Sequence, residues 1–261
     1  MPASGEQAGR VTRRRGAGRR LPAYACALAL GAAGPALAGP PFLTDDPEPT
    51  EAGHWEIYAP ALDAAGKGAD FDGSLGAEFN YGAARNVQLT LSLPLSFTHD
   101  GDGFESGQGD LKAAVKYRFF HSEAAGVSIA TFPGITLPTA SPGRGADEVT
   151  ALLPVWAQKD AGAWSVFGGG GYAINPGPRN RDFWTGGIAV SRQVSDRLLL
   201  GVEVDRQGAD SDDARATTSL GLGGILRLPA PFRLLGSLGS TYADGGGGPG
   251  FHAFLALGLD F

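Results

Sequence analysis

Apolar and polar residues alternate along most of the chain with a repeat of two. The clearest run covers residues 87–97, where every odd position is apolar and every even position is polar or proline. In residues 110–119 the apolar side chains again fall on odd positions. The even positions of this second run carry Asp110, Lys112, Lys116 and Arg118. A repeat of two places the two kinds of side chain on opposite faces of a β-strand.

This pattern predicts twelve strands, most of them 9–11 residues long, which is the length a tilted strand needs to cross a bilayer. Their expected ranges are about 54–62, 73–81, 87–97, 110–120, 127–137, 148–158, 163–173, 183–192, 197–206, 216–228, 232–241 and 251–261.

The connections between these strands alternate between long and short. The long ones, rich in Gly, Asp and Ser, are 63–72, 98–109, 138–147, 174–182, 207–215 and 242–250, and the short ones are 82–86, 121–126, 159–162, 193–196 and 229–231. Outer-membrane barrels have short periplasmic turns, longer outer loops and an even number of strands. In lipid every backbone polar group must be paired, so such a sheet has to close on itself. We therefore predict an all-β fold, a transmembrane antiparallel β-barrel of about twelve strands over residues 54–261, with both termini in the periplasm.

The beginning of the chain has the features of a secretory signal peptide. Residues 1–20 hold six Arg and one Glu, an uncharged Ala- and Leu-rich stretch follows, and Ala36-Leu37-Ala38 forms a small-residue cleavage site. We expect cleavage after Ala38. Residues 1–38 contain six of the 21 Lys and Arg and one of the 27 Asp and Glu, so their removal changes the net charge from −6 to about −11.

Residues 39–53 have no strand pattern and form an extended lead-in rich in proline and acidic residues. Four prolines favour an extended backbone, and four acidic side chains favour contact with water. Two placements are open, the periplasm or the barrel lumen as a partial plug, and the hydrophilic composition leads us to prefer the periplasm.

The last strand ends in an alternating apolar pattern with a C-terminal aromatic residue. Leu257, Leu259 and Phe261 lie on one face, an arrangement that resembles the signal read by the machinery that assembles outer-membrane barrels. Aromatic residues also lie near predicted strand ends, where rings form girdles at the membrane interface. They are Trp55, Tyr58, Tyr81, Phe97, Phe119, Phe120, Trp164, Phe183, Trp184 and Phe261.

If this apolar face contacts lipid, the opposite face of each strand lines the lumen. The acidic residues expected there are Glu56, Glu78, Asp110, Glu203, Asp205 and Asp260, and the basic ones are Lys112, Lys116, Arg118, Arg227 and Arg233. Charges in a narrow interior are expected to pair, because an isolated buried charge is costly. Two interpretations remain open: salt bridges that brace a small barrel, or a charged passage that orients a solute.

Composition argues against several other classes of protein. Gly makes up 42 of 261 residues, and Gly destabilises helices. The one cysteine, Cys26, lies in the predicted signal peptide, so no disulfide or cysteine metal site is expected. The four histidines, His54, His99, His121 and His252, form no recognisable hydrolytic triad or metal spacing. We therefore expect no enzyme activity, cofactor or metal, and an acidic mature chain argues against nucleic-acid binding.

Several stretches resemble the bacterial family named for the MetA-pathway of phenol degradation, described as outer-membrane transporters. They are residues 42–49 (FLTDDPEP), 53–56 (GHWE), 116–119 (KYRF), 153–159 (LPVWAQK), 168–172 (GGGGY) with 175–177 (NPG), and 192–196 (RQVSD). The resemblance implies an outer-membrane barrel in contact with lipid and the passage of small hydrophobic or aromatic compounds. It brings no catalytic motif with it.

Overall fold

The structure, a computed structural model, describes residues 41–261. The predicted signal peptide and its cleavage site lie outside this range. Twelve strands make up the fold: β1 (Trp55–Lys67), β2 (Asp70–Ala84), β3 (Val87–Asp100), β4 (Gly103–Gln108 and Leu111–Ser122), β5 (Val127–Thr131 and Gly134–Leu137), β6 (Thr150–Ala161), β7 (Trp164–Ile174), β8 (Phe183–Ser195), β9 (Leu198–Gln207), β10 (Thr217–Arg227), β11 (Phe232–Ala243) and β12 (Gly250–Asp260).

The twelve strands form one closed antiparallel barrel, as the alternation predicts. Each strand pairs with its neighbours in sequence, and the first and last strands close the ring, with Glu56 opposite Asp260 and Leu62 opposite Leu255. Strands β4 and β5 each contain an interruption. The one in β5 falls at Pro133, which has no N–H for the ladder but whose carbonyl accepts a hydrogen bond from Val115.

Two of the predicted long connections are wrong. Strands β1 and β2 continue past the expected boundaries and pair as far as Lys67 and Asp70, so residues 63–72 form most of a hairpin. Strands β3 and β4 likewise pair up to Asp100 and Gly103. These segments are rich in Gly, Asp and Ser, a composition typical of loops, but cross-strand pairing extends the ladder through them.

The outer and inner faces of the barrel differ as the pattern predicts. Large apolar side chains stand exposed on the outer face, among them Leu95 at 56%, Val202 at 59% and Leu222 at 63%. The inner face carries mainly small and polar residues. One internal apolar cluster contains Tyr58, Phe167, Ala189, Leu199, Ile225, Leu235 and Ala256, together with Phe42 from outside the strands.

Two aromatic residues assigned to the membrane girdle face the interior instead. Tyr58 is 4% exposed and belongs to the internal cluster. Phe183 lines an internal cavity. Both lie near strand ends, but their register places them on the inner face. No helix in residues 41–261 has the length and apolar character needed to cross a membrane.

Candidate functional site: the barrel interior and the segment inside it

Residues 41–50, the interior segment, lie inside the barrel. The preference for a periplasmic position is therefore wrong, and the partial-plug alternative agrees with the structure. Phe42, Thr44, Asp46 and Pro47 are buried, and the segment contacts both β9 and β4, which lie on opposite sides of the ring. Asp45 and Glu48 of the segment pair with basic residues of the barrel wall, so they do not require contact with bulk water. Among the described residues, Oδ2 of the buried Asp46 has no hydrogen-bond partner.

Phe42 anchors the beginning of the segment in a niche lined by glycine. A β-carbon on Gly201 would lie 2.6 Å from Cζ of Phe42, and one on Gly223 would lie 3.1 Å from its Cε1. The ring also packs edge-on against Phe167, with 5.7 Å between centroids. Glycines on β9 and β10 therefore create the space that this ring occupies.

Glu203 holds the backbone next to this anchor. Its Oε1 accepts a hydrogen bond of 3.0 Å from the N–H of Leu43, and its Oε2 accepts one of 2.9 Å from the N–H of Thr44. Glu203 is 5% exposed, so a buried carboxylate is satisfied here by two backbone donors. A side chain predicted to line the lumen thus binds the interior segment.

Two basic residues of β4 hold the opposite end of the segment. Lys116 donates a hydrogen bond of 3.0 Å to Asp45 and lies 3.9 Å from Asp46. Arg118 forms an ion pair with Glu48 and donates two further hydrogen bonds to the side chain of Asn86.

A polar cluster on β2 and β3 completes these attachments. Gln88 Oε1 accepts hydrogen bonds of 2.7 Å and 3.0 Å from the N–H and hydroxyl of Thr50. The amide of Gln88 donates in turn to Asn80 and Thr90. These neutral residues are not among the predicted lumen residues, which are all charged, although Asn80, Gln88 and Thr90 occupy the even positions of the same alternation.

Burial raises the pKa of Asp46 to about 7. The nearby carboxylates of Asp45 and Glu48 act in the same direction, whereas Lys116 and the backbone N–H of Glu48 oppose the shift. The protonation state of Asp46 is therefore sensitive to pH near neutrality.

Three of the predicted lumen residues come together where β1, β11 and β12 meet. Arg233 forms ion pairs with Glu56 and with Asp260, the latter at 3.2 Å, and donates a hydrogen bond of 3.0 Å to the hydroxyl of Tyr58. The Arg233 side chain is 5% exposed. This group matches the expectation that interior charges pair.

Two other predicted lumen residues contact backbone at opposite ends of the barrel. Asp110 lies at the interruption of β4 and accepts hydrogen bonds from the N–H groups of Thr139, Ala140 and Ala146. It therefore orders the connection between β5 and β6. Arg227 donates to the carbonyl of Asp196 at a short turn.

Two internal cavities lie on either side of the interior segment. The loop-side cavity, of about 770 Å³, lies towards the long connections and is lined by Leu43 and Asp45 of the segment. Glu78, Lys112 and Asp205 also line it. The turn-side cavity, of about 470 Å³, lies towards the short turns and is lined by residues 48–51, Tyr58 and Arg233.

A chain of polar side chains that the charge pattern does not predict lies on the wall of the loop-side cavity. Ser219 and Thr241 share a hydrogen bond of 3.0 Å, and Thr241 lies 3.4 Å from Nδ1 of His252. His252 extends over Gly239, where a β-carbon would lie 2.1 Å from its Cε1. Within residues 41–261, no three His, Cys, Asp or Glu side chains are grouped so as to hold a metal ion.

Comparisons with known proteins identify the fold. No protein-family model matches the chain, and no curated protein matches it. A crystal structure of an outer membrane channel from Pseudomonas putida F1 is similar over 83% of this chain and 98% of its own, with a TM-score of 0.68 and 17% sequence identity. The translocator domain of the autotransporter NalP from Neisseria meningitidis is similar over 80% of this chain and 89% of its own, with a TM-score of 0.51 and 14% identity. The chain therefore has the closed-barrel fold found in outer membrane proteins.

Proposed function

We propose that this protein is a passive outer-membrane channel for small hydrophobic or aromatic compounds. The observation that carries the proposal is the arrangement of the barrel interior, in which two cavities are separated by one short segment held mainly by side-chain contacts. The apolar outer face suits a lipid environment. The resemblance of residues 42–49 and 153–159 to the MetA-pathway family supports membership of that family and the same class of solute.

The expected location is the outer membrane of a Gram-negative bacterium, in contact with its lipid. Leu257, Leu259 and Phe261 are proposed to be read by the barrel assembly machinery, and Phe261 is 59% exposed at the end of the last strand. The proposal includes no enzyme activity, no cofactor and no nucleic-acid partner.

The interior charges are proposed to have two separate roles. Glu56, Arg233 and Asp260 brace the wall through their mutual contacts. Glu78, Lys112 and Asp205 line the loop-side cavity and would face a solute. Both interpretations of the lumen charges therefore apply, each to a different part of the barrel.

One observation favours a second candidate, a structural or surface-interaction barrel with a closed lumen. The interior segment is attached at Phe42, Glu203, Lys116 and Arg118, and this number of attachments could hold the lumen closed permanently. The two candidates differ in whether release of the segment opens a path.

Conductance in planar bilayers tests the choice. The Phe42→Ala variant removes the aromatic anchor and leaves the strands unchanged, so a channel should conduct more often or more strongly than the parent protein. Leu43→Ala is the matched control, because this neighbouring side chain is 45% exposed and lies outside the glycine niche. Absence of conductance from the parent and from Phe42→Ala, with no uptake of aromatic probes by liposomes, would favour the closed barrel.

A further inference from the structure

The wall of the loop-side cavity is divided into an apolar arc and a polar arc. The apolar arc runs from β5 to β8 and holds the large apolar side chains of the wall, interspersed with neutral polar ones. The apolar side chains are Phe132, Leu152, Trp156, Ala173 and Phe183, and the neutral polar ones are Thr136, Thr150, Asn175 and Thr185. The polar arc continues around the rest of the ring through Asp205, Ser219, Thr241, His252, Glu78, Thr90 and Ser92. A ligand that fits such a cavity has an apolar body and a polar group on one side.

Charge on the polar arc is predominantly negative. Among the described residues, Asp45, Glu78 and Asp205 carry the carboxylates that line the cavity, and Lys112 carries the one ammonium group. Asp45 is neutralised by Lys116. Within residues 41–261, the hydrogen-bond donors to the Glu78 carboxylate are the neutral side chains of Asn80 and Ser92, and no cation pairs with it.

Asp205 is the carboxylate most available to a ligand. Within residues 41–261 it forms no ion pair, and no side chain donates a hydrogen bond to it, although it lines the cavity opposite Gly187 of β8. A partly buried carboxylate without a cationic partner attracts a cation or a strong hydrogen-bond donor.

The connections at the same end of the barrel extend this negative field. Between the strands at that rim lie eight acidic residues and four arginines, so the entrance is acidic overall. The acidic residues are Asp102, Asp147, Glu148, Asp182, Asp210, Asp212, Asp213 and Asp244, and the arginines are Arg144, Arg179, Arg181 and Arg215. A cleft lined by one sign of charge concentrates ions of the opposite sign.

We propose that the loop-side cavity binds amphipathic organic cations, with an aromatic or alkyl body against Phe132, Trp156 and Phe183 and a protonated amine directed to Asp205 and Glu78. Organic anions with the same apolar body are disfavoured by the negative charge of the cavity wall and the rim. This inference rests on the proposed function, because a channel gives the ligand its route to the cavity from the side of the long connections. It narrows the solutes of that channel to organic cations.

Equilibrium binding to the purified, folded full barrel tests this inference without requiring passage. The probes are 2-phenylethylammonium, 2-phenylethanol and 3-phenylpropionate, which share a phenyl group and differ in charge. At pH 7 and low salt, isothermal titration should give an affinity for the cation about tenfold or more above that for the anion. Asp205→Asn should lower the affinity for the cation about tenfold, because it removes a charge-assisted hydrogen bond.

Asp196→Asn is the matched control, since it removes the same charge from an exposed turn at the opposite end of the barrel. Heat-modifiable gel migration confirms that each variant is folded, and Glu78→Gln provides a second variant if Asp205→Asn does not fold. Equal affinity for cation and anion, no binding of any probe, or unchanged cation affinity in both variants would overturn the inference. If the protein binds the cation selectively but neither the parent nor any variant conducts, the proposed channel is wrong and the cation site stands. If the protein conducts but does not bind the cation selectively, the cation site is wrong and the channel stands.

Discussion

The ring of Phe42 occupies the space that a side chain on Gly201 would need, because its Cζ atom lies 2.6 Å from the position of a β-carbon there. The two residues are far apart in sequence, and their contact holds the beginning of the interior segment against β9. A methyl group at position 201 should therefore displace the ring.

Gly201→Ala should release the interior segment. A β-carbon at position 201 would also lie 2.9 Å from the carbonyl oxygen of Val190 on β8, so heat-modifiable gel migration is used to check that the barrel remains folded. Overpacking of this kind costs about 1–3 kcal/mol, so the segment should leave its site about ten times more often. The measurement is maleimide labelling of Thr44→Cys in the chain without residues 1–38, because Thr44 is fully buried and no other cysteine remains.

Gly236→Ala is the control for this substitution. A β-carbon at position 236 would have its nearest neighbour, the carbonyl oxygen of Phe254, at 3.5 Å, which is an ordinary contact. Labelling should stay slow in this variant. Equal labelling rates for Gly201→Ala and the parent would show that the Phe42 niche does not hold the segment.

Docking of the interior segment should weaken as pH rises. The pKa of Asp46 is raised from its ordinary value of 3.8 to about 7 when the segment is docked, so the docked form binds a proton more firmly than the free form. Docking is then strongest when Asp46 is protonated, and it is progressively lost between about pH 4 and pH 7. From pH 5 to pH 8 the docking constant should fall by about tenfold or more.

A nitroxide spin label at Leu43→Cys reports this equilibrium, because that side chain already faces the loop-side cavity. The mobile fraction of the label should grow with pH in the parent. In Asp46→Asn, which resembles the protonated form, it should stay low throughout. A mobile fraction that grows with pH equally in both proteins would assign the effect to another group.

The alternation of residue types was sufficient to predict the barrel but not its contents. In β3 the even positions 88–92 carry polar side chains, and a register set by this repeat places Glu78 and Lys112 on the same inner face. Strand count and closure follow from the same rule. The boundaries were less predictable, because Asp, Ser and Gly near Asp70 and Gly103 resemble a loop whether or not they pair across strands.

The interior segment could not be located from its own residues. Its prolines and acidic side chains favour water when considered alone, and only their partners reverse that conclusion. The niche for Phe42 is formed by glycines on two strands, and the partner of Asp45 is Lys116 on the opposite wall. Such contacts depend on the curvature of the closed barrel, which a repeat of two does not describe.

Deletion of Phe261 should impair assembly and leave the function of assembled copies unchanged. Phe261 pairs with Trp55 through two backbone hydrogen bonds of 2.6 Å and 3.0 Å, and its ring is largely exposed. Loss of the ring removes roughly 1.5–3 kcal/mol of burial at most, which is small for a closed barrel. Fractionation of cells should therefore show unassembled periplasmic protein, with normal conductance from the few assembled copies.

Asp260→Asn is the comparison for this deletion. It weakens the contact with Arg233, so stability should fall modestly while assembly stays intact. Assembly of the Phe261 deletion at the level of the parent would contradict the role proposed for the last strand.

Replacement of Arg233 by Met should destabilise the barrel, because it leaves the carboxylates of Glu56 and Asp260 facing each other without a cation. Removal of one member of a buried ion pair costs about 3–5 kcal/mol, and because the Asp260 side chain is half-exposed, the expected loss is roughly 3 kcal/mol. Urea titration followed by heat-modifiable gel migration measures this loss.

The triple variant Arg233→Met, Glu56→Gln, Asp260→Asn should recover most of the stability, since the repulsion is removed with the charges. Arg227→Met, which removes the same charge at a partly exposed position, should cost less than about 1 kcal/mol. If the triple variant were no more stable than Arg233→Met alone, the loss would come from packing around Tyr58, and the three charges would not act as a brace.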